Sequence, residues 1–270
     1  MTALPFALNH MTTPGLPLAA FFELARSLGL SSVEIRNDLA GNAILDGTTA
    51  TDVAALARRH GITIISINAL QRFNEWNDAR QTEADELIRY ARDCGAQALV
   101  LVPVNDGSGQ ADGARQANLR EALAALKPTL DAAGVIGLVE PLGFEICSLR
   151  SKTEAVNAIR SVGGEATFRL VHDTFHHHLA GEPATYPEMT GLVHISGVTD
   201  ADVSVSDLRD SHRVLVEEGD LLDNVGQIAG LRADGYQGPL SFEPFAAEVH
   251  NLADPAGSLR ASMDYIRSRI

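Results

Sequence analysis

Four short apolar runs, each ending in a side chain of the kind that binds metal ions, constrain this 270-residue chain more than any other feature. Continuous apolar runs of this length are typical of buried parallel strands. Because parallel strands share a direction, their carboxyl ends meet at one rim of a closed barrel. Any one of these residues alone could be an unrelated polar strand end, but together they are expected to converge. The runs cover residues 135–140, 168–173, 192–194 and 239–243, and they end in Glu140, Asp173, His194 and Glu243.

The rest of the chain alternates strand-like and helix-like segments in the same way. Further strands are predicted at 6–9, 33–36, 62–68 and 98–103, and helices at 17–28, 51–60, 82–93, 114–133, 152–162, 222–233 and 255–270. Thr51 is the predicted cap of the second helix. The segment between the sixth and seventh strands is predicted to be short and broken, since it contains Gly181, Pro183 and Pro187.

Eight strands alternating with helices imply a parallel sheet with right-handed crossovers. The length and the strand count favour a closed barrel over an open doubly wound sheet. No GxGxxG motif follows the first strand, which weakens the dinucleotide-binding alternative. The sequence therefore predicts a single-domain α/β fold over residues 1–270, a (β/α)8 TIM barrel.

Charge and composition exclude several classes of protein. The chain has 21 Lys and Arg against 35 Asp and Glu, a formal net charge of −14. Such a surface repels phosphate backbones and disfavours nucleic acid as a partner. No apolar run approaches the roughly 20 residues of a membrane span, and the N-terminus lacks a signal-peptide pattern. We expect a soluble, cytoplasmic protein with no membrane partner, and the sequence leaves a homo-oligomer open.

Two glutamates, one aspartate and one histidine suit a divalent metal ion such as Mn²⁺, Mg²⁺, Co²⁺ or Zn²⁺. If each ligand binds through one atom, an octahedral ion keeps two positions open for adjacent carbonyl and hydroxyl oxygens of a polyol or sugar substrate. Glu140 and Glu243 could then transfer protons as catalytic acid and base. Proton removal next to the carbonyl gives a cis-enediolate, which leads to isomerisation or epimerisation. The sequence does not decide between the two outcomes.

Three polar residues near the predicted rim could bind the substrate. His176 could bind a hydroxyl or carry a proton, although a helix-capping or surface histidine is equally compatible with its position. Arg213 could hold a substrate oxygen or the enediolate, with a solvated loop arginine as the alternative. Asn68 ends the third predicted strand and is a further candidate contact.

Two aromatic residues and a buried-strand carboxylate are also candidates for supporting roles. Trp76, the only tryptophan, and Phe73 could form an apolar wall over the site or pack on the barrel rim. Glu34 lies beside Arg36 in the second predicted strand. We expect it to support the ligands or to form a structural ion pair.

The same residues carry a resemblance to a known family. Seven sequence blocks, in order over nearly the whole chain, resemble the xylose-isomerase-like barrel superfamily, and most closely its inosose isomerases. The blocks lie at residues 33–36, 68–70 with 73–74, 102–103, 140–143 with 147, 173–176, 193–195 and 242–245. The resemblance implies a role in inositol catabolism, substrate contacts by His176 and Arg213, and acid–base function for two glutamates. It also implies a metal held by Glu140, Asp173, His194 and Glu243.

Two departures from the family pattern concern the substrate more than the metal. No acidic residue follows the seventh-strand histidine in the stretch His194-Ile-Ser-Gly197. The expected Gly-x-Gly turn is replaced by Glu217-Glu-Gly219. Both stretches lie near the loop that is expected to face the substrate.

Other functions within and outside this class stay open on sequence alone. A ketose 3-epimerase or a hydroxypyruvate-type isomerase would use the same ligands. A non-catalytic sugar-binding barrel would keep the fold without the reaction. An abasic-site endonuclease is disfavoured by the charge, and because the second to fourth strands are followed by Asn37, Asn68 and Asn105 rather than by histidines. No Gly-rich phosphate loop precedes or follows the eighth strand, which disfavours a phosphorylated substrate.

Overall fold

Each strand of the chain hydrogen-bonds in parallel to the strand that follows it, and the last strand returns to the first. This closed barrel lies within residues 4–41, 44 and 46–270, which the computed structural model describes. The predicted (β/α)8 TIM barrel is therefore confirmed. The strands are β1 (Phe6–Asn9), β2 (Ser32–Arg36), β3 (Thr63–Gln71), β4 (Ala98–Val102), β5 (Ile136–Val139), β6 (Phe168–Asp173), β7 (Thr190–Ile195) and β8 (Leu240–Phe242).

Helices surround the barrel between consecutive strands. They are α1 (Leu18–Ser27), α2 (Ala50–His60), α3 (Asp78–Cys94), α4 (Ala114–Ala133), α5 (Lys152–Ser161), α6 (Thr174–Ala180), α7 (Asn224–Ala233), α8 (Ala247–His250) and α9 (Pro255–Arg267). Short 3-10 turns occupy His10–Thr12, Val205–Asp207 and Asp210–His212. Among the described residues, no helix is both long and apolar enough to cross a bilayer.

The helix starts differ from prediction where a polar cap lies upstream of the apolar pattern. α2 begins at Ala50 and is capped by Thr49 rather than by Thr51. α3 begins at Asp78, earlier than the predicted start at residue 82, because the side chain of Asn77 caps it. The first turn of α3 has alanine as its only apolar residue, so its sequence carries no helical apolar periodicity.

The segment after β6 also differs from the predicted broken connection. It begins with the helix α6, whose first turn is capped by Asp173: the Oδ1 atom of Asp173 accepts a hydrogen bond from the backbone N–H of His176 at 3.0 Å. The chain breaks only after Gly181, which ends the helix in a left-handed conformation. Asp173, at the carboxyl end of β6, thus both faces the barrel mouth and caps the next helix.

Two apolar layers separate the inside of the barrel from its outer shell. The larger cluster packs outward-facing strand residues against the helices. The smaller cluster fills the barrel interior, and it consists of Ala7, Ile65, Ala69, Ala98, Val100, Leu138, Val171 and Leu192. Leu138 and Val171 lie two residues before Glu140 and Asp173, so the alternation of side chains in a strand turns both carboxylates inward, above this layer. The interior packing therefore forms the floor of the site.

The loop after β5 approaches α6 so closely that only glycine fits at one position. A Cβ atom added to Gly143 would fall on the carbonyl oxygen of His176 and 2.5 Å from the Cβ atom of Leu179. Any side chain here would have to move the loop or the helix. Gly143 therefore fixes the position of the chain that leaves the Glu140 strand.

The connection after α6 is anchored to the start of α5 by a single carboxylate. Glu182 accepts hydrogen bonds from the hydroxyl groups of Ser151 and Thr153 at 2.8 and 2.6 Å, and from the backbone N–H groups of Lys152 and Thr153 at 2.6 and 3.1 Å. Burial alone would raise the pKa of Glu182, but these donors hold it below its ordinary value. A negative charge at a helix N-terminus is also stabilised by the helix dipole.

We expect Glu182→Ala to lower the free energy of unfolding by about 1–2 kcal/mol, because it leaves two hydroxyl groups and two backbone N–H groups at the start of α5 without their acceptor. Since the pKa of Glu182 is lowered on folding, its contribution is present above the ordinary glutamate pKa of about 4.3 and is lost as the pH falls through the lower folded value. Urea unfolding at pH 7 and pH 4 measures this. The exposed Glu188 provides a matched control, and an equal loss in Glu188→Ala would contradict the role of Glu182.

Candidate metal centre

The four predicted ligands meet at the carboxyl-end rim of the barrel. One ligand atom from each lies within 4.8 Å of those of the others, and all four residues are buried. The Nδ1 atom of His194 is 2.9 Å from Glu140 Oε1, 3.2 Å from Glu243 Oε2 and 3.8 Å from Asp173 Oδ2. The imidazole therefore points one nitrogen at three carboxylates contributed by three different strands. Because strand direction is shared, residues separated by a hundred positions reach one point.

Glu34 orients the histidine from the opposite side. The Nε2 atom of His194 is 3.1 Å from both carboxylate oxygens of Glu34, which also accepts hydrogen bonds from Ser66 at 2.5 Å, Ser241 at 2.5 Å and Asn68 at 2.7 Å. Burial alone would raise the pKa of Glu34, but the His194 charge and these donors lower it to about 2. An Nε2–H group that donates to Glu34 leaves Nδ1 as the metal-binding nitrogen. Glu34 thus supports His194, and its predicted supporting role does not involve an ion pair with Arg36.

The charge of the cluster fits a divalent cation. Four buried carboxylates face two buried guanidinium groups, which leaves two negative charges before His194 is counted. The carboxylates are Glu34, Glu140, Asp173 and Glu243, and the guanidinium groups are Arg36 and Arg213. Burial raises the pKa of Glu140, although the charge of His194 opposes this. Burial alone would lower the pKa of His194, yet the carboxylates hold it well above its ordinary value. Both shifts reflect the same demand for positive charge, which a divalent ion would meet.

Arg213 is part of the centre and not a solvated loop residue. It is 1% exposed, and its Nη2 atom lies 2.6 Å from Asp173 Oδ2 and 3.1 Å from Glu243 Oε2. Its Nε atom donates to the hydroxyl of Ser196 at 3.0 Å, and the Phe245 ring lies 4.7 Å from its guanidinium carbon. Ser196 therefore positions Arg213, and it lies in the stretch after His194 where the family pattern has an acidic residue. Arg213 is thus held in place although the acidic residue of the family pattern is missing.

His176 presents an unused nitrogen in a buried position. The residue is 4% exposed and its ring packs edge-on against Phe144 at 5.1 Å and Phe175 at 5.3 Å. Its Nδ1 atom is buried and has no hydrogen-bond partner among the residues that the structure describes. Buried polar atoms are normally paired. The surface-histidine alternative is therefore wrong, and the hydrogen-bonding capacity of Nδ1 is unused within the described residues.

The remaining residues that were predicted to contact the substrate lie in different layers of the barrel. Asn68 donates to Glu34 and so belongs to the support of His194. Phe73 is fully buried in the outer hydrophobic cluster, and Trp76 is half-buried against the same cluster. Both aromatic residues therefore pack on the barrel, and Trp76 keeps a partly exposed side chain.

Two residues that the sequence reasoning missed hold Glu243 in place. Its Oε1 atom accepts hydrogen bonds from Arg36 Nη1 at 2.8 Å and from Asn9 Nδ2 at 3.0 Å. Burial alone would raise the pKa of Glu243, but the charges of His194, Arg213 and Arg36 keep it below its ordinary value. Asn9 and Arg36 are the last residues of β1 and β2. The rule that identified the four ligands, a polar residue at a strand end, applies to them as well.

A cleft lies near the centre. It has a volume of about 520 Å³ and is lined by Phe144 and Asp210 together with apolar residues such as Ile146 and Leu208. On their other sides, Phe144 packs against His176 and Asp210 pairs with Arg213 at 3.3 Å. The cleft is therefore one residue layer from the cluster.

We expect Glu34→Gln to weaken the binding of Zn²⁺ by about 10–100-fold, because partners of metal-ligating histidines contribute by that amount. The glutamine keeps one neutral acceptor oxygen, but its NH2 group cannot accept the hydrogen bonds that the second carboxylate oxygen accepts, so His194 is held less firmly. Isothermal titration of the metal-depleted protein measures the affinity. Glu23→Gln, an exposed change on α1, provides the control. Equal affinities for Glu34→Gln and the unchanged chain would contradict this role.

Comparison with known proteins gives consistent matches over the whole barrel. A family model described as xylose isomerase-like TIM barrel matches residues 22–269. A xylose isomerase domain containing protein from Salmonella typhimurium LT2 is 33% identical, with a TM-score of 0.87 over 98% of this chain and 95% of that one. The IolI protein, solved with a bound zinc atom, is 21% identical, with a TM-score of 0.88 over 99% of both chains. An inosose isomerase from Bacillus velezensis is 24% identical over 85% of this chain and 84% of its own length.

Proposed function

Because this chain belongs to the xylose isomerase-like TIM barrel family, we propose that it is a metal-dependent isomerase or epimerase of an unphosphorylated polyol-derived ketone, such as an inosose or a free ketose. The observation that carries the proposal is the buried cluster of Glu140, Asp173, His194 and Glu243 at the barrel mouth. Active sites of TIM barrels lie at this rim. The similarity to an inosose isomerase supports an inosose as the substrate and inositol catabolism as the context.

Glu140, Asp173, His194 and Glu243 would hold the divalent ion, for which Mn²⁺, Mg²⁺, Co²⁺ and Zn²⁺ are all suited to the donor set. When bound, the ion would supply positive charge that polarises a ketone and stabilises the neighbouring oxyanion. The zinc atom bound in the structure of the IolI protein, whose fold is similar, supports a metal in this chain. The excess of buried carboxylates over buried guanidinium groups gives an independent physical reason for one.

The two glutamates are the proposed catalytic acid and base. Proton removal from the carbon next to the ketone requires a carboxylate with an accessible oxygen within reach. The Oε2 atom of Glu140 accepts no hydrogen bond from any described residue, so no protein donor competes for this oxygen. Glu243 approaches from another strand of the same rim. Return of the proton to the neighbouring carbon gives isomerisation, and return to the same carbon from the other face gives epimerisation.

Four further residues are proposed to bind the substrate. The unpartnered Nδ1 atom of His176 supports a hydrogen bond to a substrate hydroxyl. The buried guanidinium of Arg213 supports stabilisation of the enediolate, since its charge is already in place before the reaction. Asn68 has its amide nitrogen engaged by Glu34, so its carbonyl oxygen is the atom proposed for a substrate hydroxyl. Trp76 is proposed to contribute from the rim through its exposed part.

The basic side chains of the cleft argue against a phosphate or a nucleic acid as the ligand. Arg150 donates to the backbone carbonyl groups of Gly143 and Leu179, and Arg209 donates to those of Ser206 and Leu208. These bonds tie part of each guanidinium group to the backbone of the cleft wall. Together with the net charge of −14, this supports a neutral polyol or sugar.

We expect Glu140→Gln and Glu243→Gln each to lower the turnover of an inosose or ketose by at least about 100-fold, the usual contribution of a general acid or base. Incubation of the metal-loaded protein in D₂O, read by deuterium uptake next to the ketone, measures the step directly. Glu121→Gln, an exposed change on α4, should leave the rate unchanged. Full activity in both active-site variants would refute the acid–base role, and absence of exchange in the unchanged protein with all probes would favour a sugar-binding barrel.

A further inference from the structure

The ring of Phe245 lies beside both buried guanidinium groups of the centre. Its centroid is 4.7 Å from the guanidinium carbon of Arg213 and 5.6 Å from that of Arg36. Both distances are within the roughly 6 Å over which the electron-rich face of an aromatic ring attracts a cation. Arg213 is 1% exposed and Arg36 is 6% exposed, so water screens this attraction little. One aromatic side chain therefore contacts both positive charges that face the carboxylates.

The sequence around Phe245 accounts for its place. It follows Glu243 by two residues, the spacing that puts side chains on one face of an extended segment. Pro244 between them favours an extended conformation of the residue before it. The carboxylate of Glu243 accepts a hydrogen bond from Arg36 at 2.8 Å on Oε1 and from Arg213 at 3.1 Å on Oε2. The carboxylate and the ring that follows it thus contact the same pair of arginines.

Phe245 also holds the backbone of Arg213. Its N–H group donates to the carbonyl oxygen of Arg213 at 3.0 Å, and the N–H group of Ala246 donates to the same oxygen at 2.9 Å. At the other end of the side chain, Arg213 Nε donates to Ser196 at 3.0 Å, and the ring of Phe175 lies 5.1 Å from the guanidinium carbon. The loop after β8 therefore contacts Arg213 both at its backbone and at its charge.

An aromatic ring has a physical advantage over an aliphatic side chain at this position. Arg36 and Arg213 repel each other, because both bind the same carboxylate. With a divalent ion on Glu243, part of the carboxylate charge would be neutralised, and the attraction between Glu243 and the arginines would weaken. The ring of Phe245 is an uncharged partner that attracts both cations in either state. A leucine would fill much of the same space without this attraction.

We infer that Phe245 is a positioning residue, and that the electron density of its ring holds Arg213 and Arg36 in place beside the carboxylates. The ring acts electrostatically and not only by filling space. In the proposed function Arg213 stabilises the enediolate, and Phe245 then fixes the place from which that charge acts. This last step rests on the proposed function, whereas the attraction between the ring and the guanidinium groups does not.

The first test weakens the attraction and nearly keeps the shape of the ring. Fluorine atoms draw electron density from the ring face, so 4-fluoro-, 3,4-difluoro- and 3,4,5-trifluorophenylalanine in place of Phe245 lower it stepwise. The readout is the hydrogen-exchange rate of the Arg213 Nε–H group, measured by NMR without added metal and assigned by its loss in Arg213→Lys. We expect the rate to rise with each fluorine and to rise at least about tenfold in Phe245→Leu, since a desolvated contact of this kind contributes that much or more.

Two variants control this series. Phe245→Tyr keeps an electron-rich ring and should keep the exchange rate near that of the unchanged protein. Tyr265→Leu removes the ring that lies 3.7 Å from the guanidinium carbon of Arg269 on α9, and it should leave the Arg213 signal unchanged. An exchange rate that does not change with fluorination would overturn the inference, whatever the result for Phe245→Leu, since shape alone would then explain the role of the ring. If Phe245→Leu does not fold, the fluorinated series still decides.

The second test measures whether the place of Arg213 matters for the reaction. With Zn²⁺ and 2-keto-myo-inositol, we expect kcat to fall along the fluorinated series while KM changes little, because Arg213 is proposed to act on the enediolate and not on the bound ketone. A constant kcat beside a graded exchange series would overturn this last step and leave the ring contact standing. Absence of turnover of inososes and free ketoses by the unchanged protein would refute the proposed function, and the exchange series would still decide the role of the ring.

Discussion

The contact between His194 and its surrounding carboxylates is the interaction on which the site depends. One imidazole lies between Glu34 on its Nε2 side and three carboxylates on its Nδ1 side, all of them buried. Bringing so much negative charge out of water is unfavourable unless it is paired. The two arginines compensate part of it, and the rest calls for a cation. The barrel mouth thus carries an excess of negative charge that a divalent ion would neutralise.

The barrel makes this concentration of charge possible by distributing it over the sheet. Each of the four ligand-type residues lies at the end of a different strand, so their side chains approach the centre from separate positions around the barrel. The small apolar layer beneath them keeps water out from below, and the alternation of the strands turns every inward side chain towards the same axis. The loops supply the remaining parts of the site. Gly143 lets the loop after β5 pack against α6, and Arg213 extends into the site from the loop after β7.

The sequence was sufficient for the barrel and for the convergence of the four candidate ligands, because both depend on strand ends and on a period of two. For Arg213 the position in the sequence left a solvated loop arginine open, and the family resemblance favoured a place in the site. The contacts of Glu34 with His194 and of Arg36 with Glu243 were missed, since periodicity gives the face of a strand and not the partner across the barrel. The start of α3 and the helix after Asp173 were missed for a local reason: polar caps and a short helix carry no apolar pattern.

The most direct test of the four proposed ligands is the position of a bound ion. A crystal of the protein grown with Zn²⁺ and measured at the zinc absorption edge locates the metal by its anomalous signal. The account predicts one strong peak about 2.0–2.2 Å from one atom each of Glu140, Asp173, His194 and Glu243. A peak elsewhere on the molecule, with these four side chains left in contact only with one another, would contradict it.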